Sequence, residues 1–250
     1  MAVKIKDWRE MKMIFAHRGA SGYAPENTMA AFRLAEKMNS DGIELDIQLT
    51  KDGEVIICHD EKVNRTTNGT GYLKDYTLKE LQKLDAGSWF SNEFRGERIP
   101  TLDEFLTFAS KTNLVVNIEI KNIPFFYQGI EKKMLDLISK YKMLDRVIIS
   151  SFDHYTLAKV AKLNPQIKLG VLFSTRIIDP VNYVRHLPFK VYSVHPHVSF
   201  VDKKYIQAFH EYDYKLYPYT VDSLSLFKKL TSYGVDGCFT NFPDKMSVLR

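Results

Sequence analysis

Cysteine is scarce: Cys58 and Cys238 are the only two in 250 residues. A disulfide framework needs more, and both have β-branched or aromatic neighbours, so both read as reduced core residues. Also missing is any apolar run near the ~20 residues of a membrane span. The longest apolar stretches are strand-sized, which argues against stable membrane insertion. The start of the chain, from Met1 to Glu10, is too charged to hold the apolar centre of a signal peptide, and a cytoplasmic protein is the expectation. No Pro/Gly/Ser-rich linker divides the sequence and no short-period repeat runs through it. A G-x-G-x-x-G turn after the first strand-like run is absent, which weakens the case for an open dinucleotide-binding sheet. Neither charge sign dominates: 35 basic residues face 30 acidic ones, for a net charge of +5. The lysines are dispersed, which argues against a nucleic-acid partner and leaves small anionic substrates.

What remains is ample apolar material in a regular order. Hydrophobic residues make up 45% of the chain, enough for one substantial core. Its length suits a single α/β barrel, commonly about 250 residues. Residues 1–250 are therefore read as one domain, with residues 1–11 as an N-terminal extension outside the fold. Strand-like runs occupy 13–16, 42–49, 114–120, 147–151, 168–173, 191–194, 215–219 and 236–240. Helix-period segments fill the intervals, among them 28–38, 130–141, 155–163 and 223–232. Eight strands with intervening helices predict a TIM (β/α)8 barrel. One interval is too long for a loop and a helix, and residues of about 50–100 are read as an insertion after the second strand. It opens on a hairpin signal, Asp52-Gly53, and continues into a short helix marked by the capping pair Thr77 and Glu80.

The chemistry gathers at strand ends. The first strand runs into Ala16-His17-Arg18-Gly19, at the end of a barrel strand where active sites open. His17 can carry protons near neutral pH, and Arg18 offers a planar fork for phosphate oxygens. In the second strand, alternation puts Glu44, Asp46 and Gln48 on one face. Two carboxylates on a covered barrel strand repel each other and lose hydration, a cost that a cation would offset. The competing reading is a solvated edge strand. Counting back across a two-residue Asp52-Gly53 turn pairs Asp46 with His59, which would hang beside the carboxylates. In the third strand Asn117, Glu119 and Lys121 share a face, so Glu119 can join Glu44 and Asp46. Three carboxylates make a hard-oxygen site for Mg²⁺ or Ca²⁺, whereas the thiols and strand-end imidazoles are too few for structural zinc. Lys121 fits as a point charge near phosphate. A Glu119–Lys121 surface pair is the bland alternative.

Taken in order, His17-Arg18-Gly19, Pro25-Glu26-Asn27-Thr28, Glu44-Leu45-Asp46, Asp52-Gly53, His59-Asp60, Arg65-Thr66-Thr67-Asn68-Gly69, Ile99 to Glu104 and Glu119-Ile120-Lys121 form a recognisable series. This series resembles the glycerophosphodiester phosphodiesterase family, from about Ile14 to Pro243. The resemblance implies hydrolysis of glycerophosphodiesters to glycerol phosphate and an alcohol, with one divalent cation as cofactor. It makes Glu44, Asp46 and Glu119 the metal ligands and His17 and His59 the acid/base pair. Arg18 would hold phosphate, with Lys121 near it and Tyr219 walling the glycerol pocket. In the family the glycerol hydroxyl is thought to attack first, giving a cyclic phosphate that water opens. Two departures stand out: Asp222 where Asn is usual, and Asn241 where Asp is usual. The expected partner is a small-molecule glycerophosphodiester, with a homodimer left open. A lysophospholipase-D-type enzyme accepting acylated substrates is the alternative, suggested by Phe125, Phe126, Tyr127 and Phe200. His195 and His197, at the end of the sixth strand, could border the pocket but are read as loop formers, and His154, His186 and His210 as solvated.

Overall fold

The computed structural model describes residues 12–247, so the extension expected over residues 1–11 lies outside the described residues. In chain order the strands are β1 (Met13–His17), β2 (Gly42–Leu49), β3 (Val55–Ile57), β4 (Val115–Ile120), β5 (Val147–Ser151), β6 (Lys168–Phe173), β7 (Ser193–Pro196), β8 (Lys215–Leu216) and β9 (Gly237–Thr240). The helices are α1 (Met29–Lys37), α2 (Leu78–Leu81), α3 (Leu102–Ala109), α4 (Ile130–Lys140), α5 (His154–Leu163), α6 (Pro180–Arg185), α7 (Lys203–His210), α8 (Leu224–Ser232) and α9 (Pro243–Ser247). Eight strands pair in parallel in the order β8-β7-β6-β5-β4-β2-β1-β9, while β3 lies antiparallel on β2. This is the expected (β/α)8 barrel.

The two ends of the sheet meet without a regular ladder. The seventh barrel strand is expected over 215–219, but β8 is only two residues long. Pro218 has no N–H to offer the ladder. Separate backbone bonds close the gap instead: Asp236 to Leu216 at 3.3 Å, Phe239 to Pro218 at 3.0 Å and Val221 to Phe239 at 2.9 Å.

Alternation along the strands sorts the core. Outward residues such as Ile14, Ala16, Ile43, Leu45, Val116 and Ile118 pack under the helices. Inward residues Met13, Phe15, Ile148, Tyr217 and Phe239 plug one end of the barrel. Two positions further along β1, on the same face as Phe15, stands His17. The apolar plug thus becomes the floor beneath a polar mouth.

The insertion has its own satellite core of Ile56, Cys58, Val63, Leu73, Leu81, Ala86 and Ile99. The capping box predicted at the start of its short helix is present, with Thr77 and Glu80 bonding each other reciprocally. The hairpin register is corrected by one residue. Thr50, not Lys51, pairs with Glu54, and Gln48 opposes Ile56. The loop has three residues and ends on Gly53 at φ +81°, a left-handed conformation that glycine adopts without a Cβ penalty. Asp46 therefore opposes Cys58, whose N–H donates to its carbonyl at 2.9 Å.

Candidate active site

Parallel pairing brings the acids together. β1 sets His17 beside Glu44, and β4 sets Asn117 beside Glu44 and Glu119 beside Asp46. Ligand oxygens of Glu44, Asp46 and Glu119 lie within 4.8 Å of one another, and all three residues are buried. The solvated-edge reading of β2 is therefore excluded: every residue of that strand is buried.

Two cations offset part of this charge. Arg18 Nε stands 3.5 Å from Asp46 Oδ2, and Lys121 Nζ stands 2.7 Å from Glu119 and 3.7 Å from Asp46. The Glu119–Lys121 pair, which the alternative reading placed on the surface, is present but sheltered from solvent. Burial pushes the Glu44 carboxyl well above its ordinary value, and the neighbouring Asp46 and Glu119 add to that rise. Burial acts the same way on Asp46, yet Arg18, His59 and Lys121 outweigh it and hold that carboxyl low. Asp46 Oδ1 is buried without a hydrogen-bond partner. Three close carboxylates, an orphaned oxygen and a raised Glu44 are what a hard divalent cation would satisfy, so the residues fit such an ion.

Both imidazoles line one cavity of about 260 Å³, together with Glu44, Glu119 and Tyr219. His17 Nδ1 lies 2.8 Å from Asn241 Oδ1. Burial, followed by the Arg18 charge, pushes His17 down to about 4, so its imidazole is neutral at pH 7. His59 reaches the cavity by a route other than the predicted cross-strand pairing. After Cys58 the chain leaves the hairpin ladder, and Gln48 Nε2 donates to the carbonyls of Cys58 at 2.8 Å and Asp60 at 2.7 Å. His59 Nδ1 then bonds Asp60 Oδ1 at 2.6 Å. That hydrogen bond, with those from Arg65, holds Asp60 below the usual carboxylate range.

Several contributors had no role assigned by sequence reasoning. Glu26 accepts from Arg18 Nη1 at 2.8 Å and from both Nη atoms of Arg65 at 2.7 and 2.8 Å. Arg65 Nε also donates to Asp60 at 2.7 Å, so a chain of charge-assisted bonds joins Arg18 to His59. Asn27 donates to Asp46 at 2.9 Å. The motifs containing these residues were visible, but their partners lie too far along the chain for spacing to reveal them. Tyr219 presents its ring to the cavity, with its hydroxyl committed to the Phe173 carbonyl at 2.9 Å.

The remaining histidines divide differently from expectation. His195 and His197 both line the cavity. His195 is fully buried, and a Cβ at Gly170 would stand 2.5 Å from its ring, so glycine leaves the room it occupies. His154 bonds Tyr183 and the Leu172 carbonyl, and His210 pairs with Asp236, so neither is simply solvated. Of the aromatic cluster, Tyr127 is buried with its hydroxyl on Gln48, whereas Phe126 is exposed. A wider depression of about 890 Å³ lies over Asp52, Lys79 and Arg98 on the insertion, but among the described residues no imidazole lines it and no close carboxylate triad forms there.

Comparison with known proteins agrees with this geometry. Residues 17–245 match the family described as "Glycerophosphoryl diester phosphodiesterase family". A glycerophosphodiester phosphodiesterase of Caldanaerobacter subterraneus subsp. tengcongensis is 44% identical, over 94% of this chain and 96% of its own. One from Bacillus altitudinis is also 44% identical, over 96% and 98%. Among solved structures, an Oleispira antarctica phosphodiesterase in complex with the product sn-glycerol-3-phosphate superposes with a TM-score of 0.87. It is 32% identical, covering 95% of this chain and 96% of that one.

Proposed function

The chain belongs to the glycerophosphoryl diester phosphodiesterase family, and on that premise we propose that it hydrolyses glycerophosphodiesters to glycerol phosphate and an alcohol, with His17 and His59 handling the protons. The observation that carries this reading is the three buried carboxylates within 4.8 Å of one another, beside two imidazoles on one cavity. Glu44, Asp46 and Glu119 would hold Mg²⁺ or Ca²⁺, which when bound supplies stabilisation of negative charge on the phosphoryl group.

Each imidazole has its Nδ1 engaged, His17 with Asn241 and His59 with Asp60. In both rings Nε2 is the nitrogen without a protein partner among the described residues. His17, half-buried and neutral, starts as the base. Its Nε2 takes the proton of a glycerol hydroxyl as that oxygen bonds to phosphorus. His59, whose Nδ1 is engaged by Asp60, starts as the acid and protonates the departing alcohol oxygen as the P–O bond breaks. Water then opens the cyclic phosphate with the roles reversed: its proton goes to His59, and the released glycerol oxygen takes the proton held by His17. Arg18, pinned by Glu26 and Asp46, faces its guanidinium charge toward the phosphate. Lys121 serves chiefly to balance Glu119 and Asp46, and the Tyr219 ring walls the glycerol side.

A single copy carries every one of these side chains, so the chemistry does not require a homodimer. No described helix is long and apolar enough to cross a membrane. The two free, buried cysteines are compatible with a reducing, cytoplasmic location. The alternative, an enzyme accepting acylated substrates, draws support from Ile123 and Phe126, 57% and 78% exposed on the loop after β4. Turnover of glycerophosphocholine and lysophosphatidylcholine, each with and without EDTA, tests both readings. Cleavage of glycerophosphocholine that EDTA abolishes and Mg²⁺ or Ca²⁺ restores is expected. Cleavage of the acylated compound alone would replace the first reading with the second.

A further inference from the structure

Asp222 and Asn241 are in contact with each other, and Asn241 also meets His17. Asn241 Oδ1 lies 2.8 Å from His17 Nδ1 and also faces the Ser21 hydroxyl at 2.8 Å. On its other side, Asn241 Nδ2 donates to Asp222 Oδ2 at 2.7 Å. Asp222 Oδ1 accepts the Asn241 backbone N–H at 2.8 Å and the Thr240 hydroxyl at 3.1 Å.

An amide has nearly the same shape when flipped, so only its partners decide which end faces which way. Here the carboxylate decides. Asp222 can only accept, so the Asn241 NH₂ must point to it and the Asn241 oxygen must point to His17. An oxygen at that place requires an N–H on Nδ1, and a neutral imidazole protonated on Nδ1 has its lone pair on Nε2. From these contacts we infer that Asp222 and Asn241 are positioning residues that lock His17 in the Nδ1–H tautomer, with Nε2 left as the proton acceptor on the cavity side.

The inference rests on the role proposed for His17, so its test reads the tautomer as well as turnover. In Asp222→Asn, the Asn241 N–H and the Thr240 hydroxyl still need an acceptor. The new NH₂ must therefore face the Asn241 side chain. Asn241 then flips and offers NH₂ to His17 Nδ1, and the ring moves its proton to Nε2. Turnover should fall about 10- to 100-fold, the usual cost of losing a group that orients a functional imidazole. In Asn241→Asp two carboxylates face each other, and a similar loss is expected. The double variant Asp222→Asn/Asn241→Asp regains one donor and one acceptor across the contact and should recover most of the turnover and the Nδ1–H form.

Ring ¹⁵N NMR, with the His17 signal identified by its loss in His17→Ala, reports the tautomer in each protein. Should Asp222→Asn fail to fold, the double variant decides alone. An unchanged His17 spectrum in Asp222→Asn, or a double variant that lacks the Nδ1–H form or is no more active than its parents, overturns the inference. Near-normal turnover in His17→Ala is a different failure: it removes His17 from the proposed chemistry without altering what the spectrum says about Asp222 and Asn241.

Discussion

At the scale of single residues, the site is a problem of charge. Three carboxylates are opposed by one guanidinium and one ammonium, and Glu44 responds by holding its proton above the ordinary range. Glu44→Gln removes one anionic donor, so the cation concentration for half-maximal activity should rise; an unchanged titration would deny Glu44 a place among the ligands. In the proposed chemistry the imidazoles act on protons rather than on charge. His17→Ala and His59→Ala should each lower turnover by at least ~10², the scale of acid/base catalysis, with the circular dichroism spectrum retained. A variant of either histidine that keeps near-normal turnover would take that residue out of the mechanism.

At the scale of elements, the β2–β3 hairpin shows how a shift of one residue can be absorbed. With Asp46 opposite Cys58, His59 has no cross-strand seat beside the acids and depends on the loop conformation that follows. Gln48 supplies that conformation through the Cys58 and Asp60 carbonyls, and is itself held by the Tyr127 hydroxyl at 2.8 Å. Gln48→Leu removes these bonds, and a longer one from Nε2 to the His59 carbonyl at 3.3 Å, while keeping most of the volume. Leaving buried partners unpaired should cost about 1–3 kcal/mol each, visible as a lowered Tm. A displaced His59 should lower kcat on the order of 10²-fold. Wild-type kcat in this variant would show that the loop holds His59 without Gln48.

At the scale of the whole molecule, the barrel depends on a seam that has few ladder bonds. Asp236 sits on it: its carboxylate accepts from Leu216 N at 2.9 Å, Lys215 Nζ at 2.9 Å and His210 Nε2 at 2.8 Å. Burial would raise this carboxyl, but those three donors outweigh it and hold its value below the ordinary one. A carboxyl lowered in the folded state contributes stability that is complete above its unfolded value of about 3.9. That contribution is lost as pH falls through the lower folded value. Asp236→Asn should therefore cost about 2 kcal/mol at pH 7, and the gap to wild type should narrow below about pH 4. Thermal melts at both pH values check this, and a gap that widened in acid would reverse the assignment.

What the sequence determined by itself is local. Alternation put Glu44 with Asp46 and Asn117 with Glu119, because a strand's period of two depends on nothing beyond the strand. The alternating strand and helix pattern fixed the barrel class, and the ordered motifs named the two histidines. What only the tertiary structure decided is pairing between distant segments. The register that sets Asp46 directly beside Glu119, the bonds from Glu26 through Arg65 to Asp60, and the Asp222–Asn241–His17 contact all join residues far apart in the chain. The hairpin register was misread because Asp52-Gly53 suits a two-residue turn and also the end of a three-residue one, and local turn chemistry alone does not separate them. Such choices are made when the whole core packs, since only then does each candidate partner acquire a distance and a degree of burial.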